Sequence, residues 1–292
     1  MINIRILNYE TDLDQIVSLI KQELDKSYTK SFFIWKHLKN PFGKSYGLVA
    51  LNGERIIGLR MFMIWNFLCS EHKKTINAIR PVDTVVDKKY QGKGLFKKLT
   101  LQGLEDFKND YELIFNTPNN NSLPGYIKMG WDQLKVGTNF QLILINPFIK
   151  TLPFHVIPPQ ELDLNFSLVK LPGCSTLLSS EFISWRYKEK DYKMALFKIP
   201  GHFIIYKRGS NKNIPVLFIL EINGVQENIG RMLNSLGKKF AMPFLYTYYK
   251  NLPIQEFTKT FERLQPVIVI KKDLTQLGGS LNLSLGDLQS KL

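Results

Sequence analysis

Arg80–Leu104 reads RPVDTVVDKKYQGKGLFKKLTLQGL. A β-type run ends near Val86, a turn follows with Gly92 and Gly94, and a helix starts at once. Leu95, Leu99, Leu104 and Phe107 lie mostly along one face of that helix. Glycines let a turn adopt positive φ and aim its N–H groups at one locus, with the positive end of the helix dipole behind them. Lys93 adds a full charge at the rim. The unit that results is a strand–turn–helix anion site. It is neither a GxxxxGK[ST] phosphate loop nor a GxGxxG dinucleotide turn, and a glycine pair by itself fits an ordinary strand-to-helix connection equally well.

Outward from this unit the N-terminal half alternates strands and helices. Ile2–Leu7 is a β-type run, and Thr11 and Asp12 are N-cap candidates. The helix they start carries an apolar stripe at Leu13, Ile16, Val17, Ile20 and Leu24. Tyr46–Leu51 and Arg55–Met63 flank Asn52-Gly53, which predicts a hairpin with a type I′ turn. Ile76–Val86 and Leu113–Phe115 read as strands, 119–129 as a capped helical stretch, and Phe140–Ile145 as a further strand. Mixed strands with intercalated helices define an α/β layer fold.

Three prolines between Asn146 and Pro159 mark a linker. The pattern then restarts. FIWKHLKNPFGKSYGLVA, with Trp35, is echoed by FISWRYKEKDYKMALF, with Trp185, each with an aromatic before the Trp and a basic residue and a ring after it. Strand-like runs at Phe203–Tyr206, Val216–Ile222, Phe244–Tyr248 and Val267–Ile270 surround a helix bearing Ile229, Leu233 and Leu236. The reading is a duplication, with coincidental use of Trp as a core anchor as the alternative. The expected domains are 1–145 and 161–292, joined by a linker at 146–160. A loop and a short strand are expected after Asp273.

Composition narrows the function classes. At 292 residues and 44% hydrophobic content, the chain can bury a sizeable core. The net charge of +14 is spread evenly over both halves, without the stripe or tail of a nucleic-acid arm. Cys69 and Cys174 make no CxxC pair and no disulfide framework, so neither a secreted staple nor a zinc site is expected. His37, His72, His155 and His202 are scattered without metal-ligand spacing. With no apolar leader and no long apolar run, the expectation is a soluble cytoplasmic protein without metal or membrane span. Its partner is expected to be a small molecule. The sequence leaves the oligomeric state open.

Tyr90, Gln91, Gly92, Lys93, Gly94, Leu95 and Phe96 stand directly after a strand ending in valine. This resembles the Gln/Arg-x-x-Gly-x-Gly/Ala hallmark of the GNAT superfamily of acyl-CoA-dependent N-acyltransferases, with Phe96 in place of the usual small residue. A second match is Asn119, Ser122, Tyr126, Gly130 and Trp131, at the offsets of the family's Asn-x-x-Ala/Ser-x-x-x-Tyr-x-x-x-Gly-Phe. The two motifs cover about residues 1–145. The second half carries no copy of the Gln-x-x-Gly turn and is expected to be a degenerate GNAT-like partner. The fold implied is a mixed, mainly antiparallel, splayed sheet flanked by helices, present twice in tandem.

The resemblance implies acetyl-CoA as acyl donor and an amine, possibly of an amino sugar, as acceptor, joined by direct attack. It places the pyrophosphate on the amides of Gln91–Phe96 and the pantetheine arm along Thr84, Val85 and Val86. Asn119 and Ser122 become further cofactor contacts. A backbone N–H on that strand can stabilise a developing oxyanion. Tyr126 matches the family's general acid, and Asp83 stands where the family commonly places a base. Other readings of Asp83 and Tyr126 are a strand-end ion pair with Arg80 and simple packing. Two alternatives remain at the level of function: a tRNA-dependent aminoacyl transferase of the peptidoglycan-bridge type, which also pairs two such halves, and a non-catalytic binding module.

Overall fold

The computed structural model describes residues 1–70, 74–135, 137–162, 173–271 and 280–288. They form two compact units. The first unit contains, in order, β1 (Ile2–Ile6), α1 (Leu13–Glu23), α2 (Lys30–Leu38), β2 (Tyr46–Asn52), β3 (Arg55–Cys69), β4 (Lys74–Val86), α3 (Leu95–Asp106), β5 (Leu113–Asn116), α4 (Leu123–Lys128) and β6 (Asp132–Gln133). Its strands run β1-β2-β3-β4-β5-β15-β6, where β15 (Val269–Lys271) arrives from far down the chain.

The layers follow from the strand sequences. β3, RIIGLRMFMIWNFLC, is apolar almost throughout because both of its faces are covered. Leu59 and Met61 pack with Leu13, Ile16, Val17 and Ile20 of α1, whereas Ile57 packs with Leu95 and Leu99 of α3. The α1 stripe is buried as expected up to Ile20, but Leu24 is exposed because the helix stops at Glu23. Asp12 does not cap that helix with its side chain. It takes two bonds from the Arg5 guanidinium instead. The hairpin forms one residue later than expected: Asn52 pairs with Arg55, so Gly53 and Glu54 are the loop. Only Gly53 has positive φ (+61°), the pattern of a type II′ turn rather than I′.

The second unit contains β7 (Gln141–Ile145), β8 (Phe154–Ile157), β9 (Cys174–Thr176), α5 (Ser180–Arg186), β10 (Tyr192–Phe197), β11 (Phe203–Asn211), β12 (Ile214–Asn223), α6 (Gln226–Lys239), β13 (Phe244–Thr247), β14 (Phe257–Glu262), β16 (Leu281–Asn282) and α7 (Leu285–Leu288). Its sheet runs β8-β10-β11-β12-β13-β7-β14. Strand for strand this is the order of the first sheet. β12 and β13 pair in parallel as β4 and β5 do, and a helix, α6, follows β12 as α3 follows β4.

The two halves exchange one strand. In the first sheet the place beside β5 is taken by β15, and in the second the place beside β13 is taken by β7. This moves the boundary expected at residue 145. Phe140–Ile145, at the end of the first half in sequence, pairs in the second sheet, and Val269–Lys271, late in the second half, pairs in the first. An apolar run announces a strand, but its pairing partner is set by which edge it can cover. The expected linker at 146–160 is also partly structured, since Phe154–Ile157 pairs with β10. The tail at 272–279 lies outside the described residues, and the short strand expected after it is Leu281–Asn282.

The two cysteines are joined. A disulfide links Cys69 to Cys174, both buried at 2% and 3% exposure. The expectation of no disulfide staple fails: a backbone bond from Ser70 N–H to Gly173 C=O accompanies the approach of two cysteines 105 positions apart. Spacing in sequence carried no sign of that approach.

Candidate active site

The turn after β4 is held at its start and leaves its later amides without partners among the described residues. Asp87 anchors its start: the amide donates to Ile57 C=O, Oδ1 accepts from the Lys89 amide, and Oδ2 accepts from Arg55 at 2.5 Å. The Gln91 side-chain amide turns back onto Val86 C=O at 3.0 Å, and Asn52 holds the Tyr90 hydroxyl. Gly92 and Gly94 then take φ of +75° and +74°, a region that costs other residues about 1–2 kcal/mol. A Cβ at either glycine would meet nothing within 4 Å, so the glycines serve the backbone conformation and not a tight fit. α3 starts from Gly94 with the first intrahelical bond made by the Lys98 amide. Among the described residues, no partner takes the amides of Gly92, Lys93, Gly94, Leu95, Phe96 or Lys97. A helix N-terminus with such a row is an anion cradle.

Two expected contact residues contribute there through the backbone. The Leu95 side chain is buried against Leu48, Ala50 and Leu99. The Phe96 ring lies inward against Gly125, where an added Cβ would come within 2.8 Å of it, and edge-on to Tyr126. The bulk that replaces the family's small residue therefore stays away from the amide row. Lys93 sits 4.9 Å from the Tyr90 ring centroid, at the rim as expected.

β4 is bent at Asp83, which has φ of +44°. The kink breaks the period-two alternation of a strand: Val82 and Val85, three apart, both pack into the core shared with α1, whereas Val86 packs on the opposite side with α3. It also carries the Asp83 carboxylate onto α2. Oδ1 accepts from Lys36 Nζ at 2.8 Å, and Oδ2 accepts from Tyr28 at 2.5 Å and His37 Nε2 at 2.9 Å. Burial by itself would raise this carboxyl, but the Lys36 charge and the His37 bond outweigh it and hold it well below the usual carboxylate range. Burial pushes the His37 imidazole down, so the ring is neutral. Its Nε2–H must donate to the carboxylate, which leaves Nδ1 to accept from Ser45 Oγ at 3.0 Å.

Ser45, His37 and Asp83 have the residue types of a nucleophile relay. Ser45 is 2% and His37 0% exposed, and the hydroxyl and carboxylate sit on the ring nitrogens in the reverse of the relay's order. The trio is an interior brace. The same saturation argues against Asp83 as a base: both oxygens are engaged and the group has little affinity for a proton. The expected ion pair of Asp83 with Arg80 is not formed either. Arg80 donates instead to Thr117 Oγ1, beyond the end of β5.

β4 and β5 pair only at Ala78↔Leu113 and Ile79↔Ile114, while β4 runs on to Val86. Among the described residues the sheet therefore opens between β4 and β5 beyond Ile79. Tyr126, in α4, is 2% exposed. Its hydroxyl oxygen accepts from Arg60 Nη2 at 2.8 Å and from Asn116 Nδ2 at 2.5 Å. Asn119 organises the entry to α4: its side-chain oxygen accepts from the Ser122 amide and hydroxyl, each at 3.0 Å. The two are thus bound to each other, and the Asn119 side-chain nitrogen has no partner among the described residues.

Residues 3–134 match the model of the acetyltransferase (GNAT) domain. They form a GNAT acetyltransferase domain. Its type is an enzyme, an N-acyltransferase. No curated protein matches the chain at a significant level. Among solved structures, a protein of unknown function from Enterococcus faecalis V583 aligns at TM-score 0.70 and 12% identity, covering 93% of this chain and 72% of that one. A GCN5-related N-acetyltransferase from Anabaena variabilis gives 0.69 at 12% identity, with 93% and 72% covered. One from Kribbella flavida gives 0.64 at 11%, with 92% and 71% covered. At such identities the likeness is one of fold, and it extends over both halves.

The second unit preserves the brace of the GNAT domain but not its cradle. Ser179 caps α5 through the Phe182 amide as Thr29 caps α2 through that of Phe32. With the caps aligned, Trp185, Arg186 and Tyr187 fall on Trp35, Lys36 and His37. Tyr187 donates to Glu221 Oε1 on β12 at 2.5 Å, the counterpart of His37 on Asp83. Two residues separate β12 from α6, where eight separate β4 from α3, so this half has no room for an amide row. Arg60, Asn116, Tyr28, Lys36 and His37 escaped the sequence reading. For the last two a signal existed, because they form the echoed Trp-basic-ring segment. Among the described residues no group of three His, Cys, Asp or Glu could hold a metal, and no helix is long and apolar enough to cross a membrane.

Proposed function

We propose that the GNAT domain transfers an acetyl group from acetyl-CoA to the amine of a small acceptor, with amino sugars the first class to test. The observation that carries this reading is the row of amides on Gly92–Lys97 that have no partner among the described residues, beside a sheet that opens at Ile79. A row of that kind fits the pyrophosphate of a nucleotide carrier. Gly92–Lys97 would hold it, with Lys93 at the rim, and the backbone of Thr84, Val85 and Val86 would flank the pantetheine arm. Asn119 would offer its amide. Acetyl-CoA supplies the activated thioester.

The chain's own groups then position and protonate. The acceptor nitrogen forms its bond to the acetyl carbon, the carbon–sulfur bond breaks, and the amine proton leaves to water. The sulfur takes a proton from Tyr126 Oη, and the phenolate recovers one from water, so the proton the amine loses balances the one the thiol gains. Asp83 serves as the brace that fixes α2 to β4 and shapes the acceptor side. A tRNA-dependent transfer does not call for a pyrophosphate cradle, which favours the CoA reading. Because acetyl-CoA is an intracellular metabolite, a cytoplasmic location is part of the proposal. The test is calorimetry with acetyl-CoA, followed by release of CoA thiol in the presence of primary amines, glucosamine first. Binding in the micromolar range with amine-dependent thiol release is expected. Binding without release would leave a ligand-binding module instead.

A further inference from the structure

We propose that Arg60 and Asn116 are positioning residues for proton donation by Tyr126, an inference that rests on the reading of Tyr126 as the acid. Arg60, in the middle of β3, is 1% exposed. No carboxylate pairs with it among the described residues, and its Nε has no hydrogen-bond partner. Rings surround the guanidinium: Phe96 at 5.3 Å, Tyr126 at 5.6 Å and Phe62 at 5.7 Å from their centroids. Its one hydrogen bond among the described residues goes to the phenolic oxygen of Tyr126. A buried cation is costly unless something compensates it, and here its polar partner is a neutral hydroxyl.

The hydroxyl has the complementary peculiarity. Its oxygen accepts twice, from Arg60 and from Asn116, and no acceptor among the described residues takes its proton. Two donors on the lone pairs fix the direction in which the O–H must point. A buried tyrosine kept for packing ordinarily donates its proton to the protein. This one is held so that the proton remains to be given.

Proton balance supplies the need. An ordinary phenol, near ~10, is a weaker acid than an ordinary thiol, near ~8.5, so transfer from phenol to thiolate runs uphill. A guanidinium and a carboxamide on the phenolic oxygen strengthen their bonds as charge builds there, which offsets the deficit at the moment of transfer. Asn116 is itself set by the exchanged strand, because it pairs with Val269 of β15.

The test is a double-mutant cycle on CoA thiol release from acetyl-CoA, with glucosamine as the amine probe and with water alone. Tyr126→Phe should lower kcat about 100-fold or more, and Arg60→Leu about 10-fold or more, with KM for acetyl-CoA within about threefold. Arg60→Leu added to Tyr126→Phe should cost no more than a further twofold, and Arg60→Lys should restore most of the loss. Asn116→Ala, which removes a donor without disturbing a buried charge, provides the same comparison if Arg60→Leu fails to fold. A large loss at Tyr126 with additive losses at Arg60 and Asn116 overturns the inference alone. Full activity of Tyr126→Phe, or wild-type protein that binds acetyl-CoA and releases no thiol with either acceptor, overturns the acid reading and the inference together.

Discussion

Asp83 and Glu221 occupy comparable places on β4 and β12, yet their surroundings drive them in opposite directions. Lys36 and His37 outweigh burial at Asp83, so its carboxyl is depressed. Its contribution to stability is present above the ordinary aspartate value of ~3.9 and is lost as pH falls below it. Asp83→Asn should leave Lys36 buried and unpaired, and a denaturant titration at pH 7 should show a loss of about 3–5 kcal/mol. Glu221 is pushed up to about 8, first by burial and then by the nearby Asp287, while the bonds from Tyr187 and Ser284 and the charge of Arg186 offset part of this. The sign is the reverse: this contribution is full below ~4.3 and is lost as pH rises toward 8. Glu221→Gln should therefore gain stability over wild type at pH 9 and little at pH 5 in paired denaturant titrations. The acid candidate Tyr126 was legible through its offsets from Asn119 and Gly130. Arg60 was not, because its partner lies 66 positions away and nothing in an apolar strand marks one arginine as a buried one.

At the scale of elements, the turn between β4 and α3 carries the claim about the donor. Gly94→Asp would force φ of +74° on a side chain and place a carboxylate among amides arranged for an anion. Acetyl-CoA binding should fall at least 100-fold by calorimetry, with circular dichroism unchanged, because an added Cβ meets no neighbouring atom. This turn was fully legible in Gln91–Gly94, since positive φ and a following helix leave a direct mark on residue choice. The kink at Asp83 was not. An aspartate tolerates positive φ without a glycine to announce it, and its trace is that Val82 and Val85, three apart, pack on one side. The hairpin was foreseen but its loop was misplaced by one residue, because Asn52-Gly53 and Gly53-Glu54 both satisfy a two-residue turn.

At the scale of the molecule, the duplication visible in the Trp35 and Trp185 segments is a duplication of topology, down to the cap, the Trp and the brace. What the echo could not show is the exchange of β7 and β15, since strand-forming sequence is silent about its partner. The exchange makes a prediction. A fragment of residues 1–145 lacks β15, so it leaves β5 and β6 without their shared neighbour and Asn116 without its pairing. It should show no cooperative thermal unfolding as a monomer, whereas the whole chain should. A sharp transition in the fragment would mean that β15 is dispensable to the first sheet.

On the proposed function, the amide row after β4 holds the carrier of the acyl group. The measurement that bears on it most directly is calorimetric titration of the whole chain with acetyl-CoA, repeated with the Gly94→Asp variant. Micromolar binding of one equivalent, lost in the variant, is the predicted result. No binding to the wild-type protein, or undiminished binding to the variant, would contradict it.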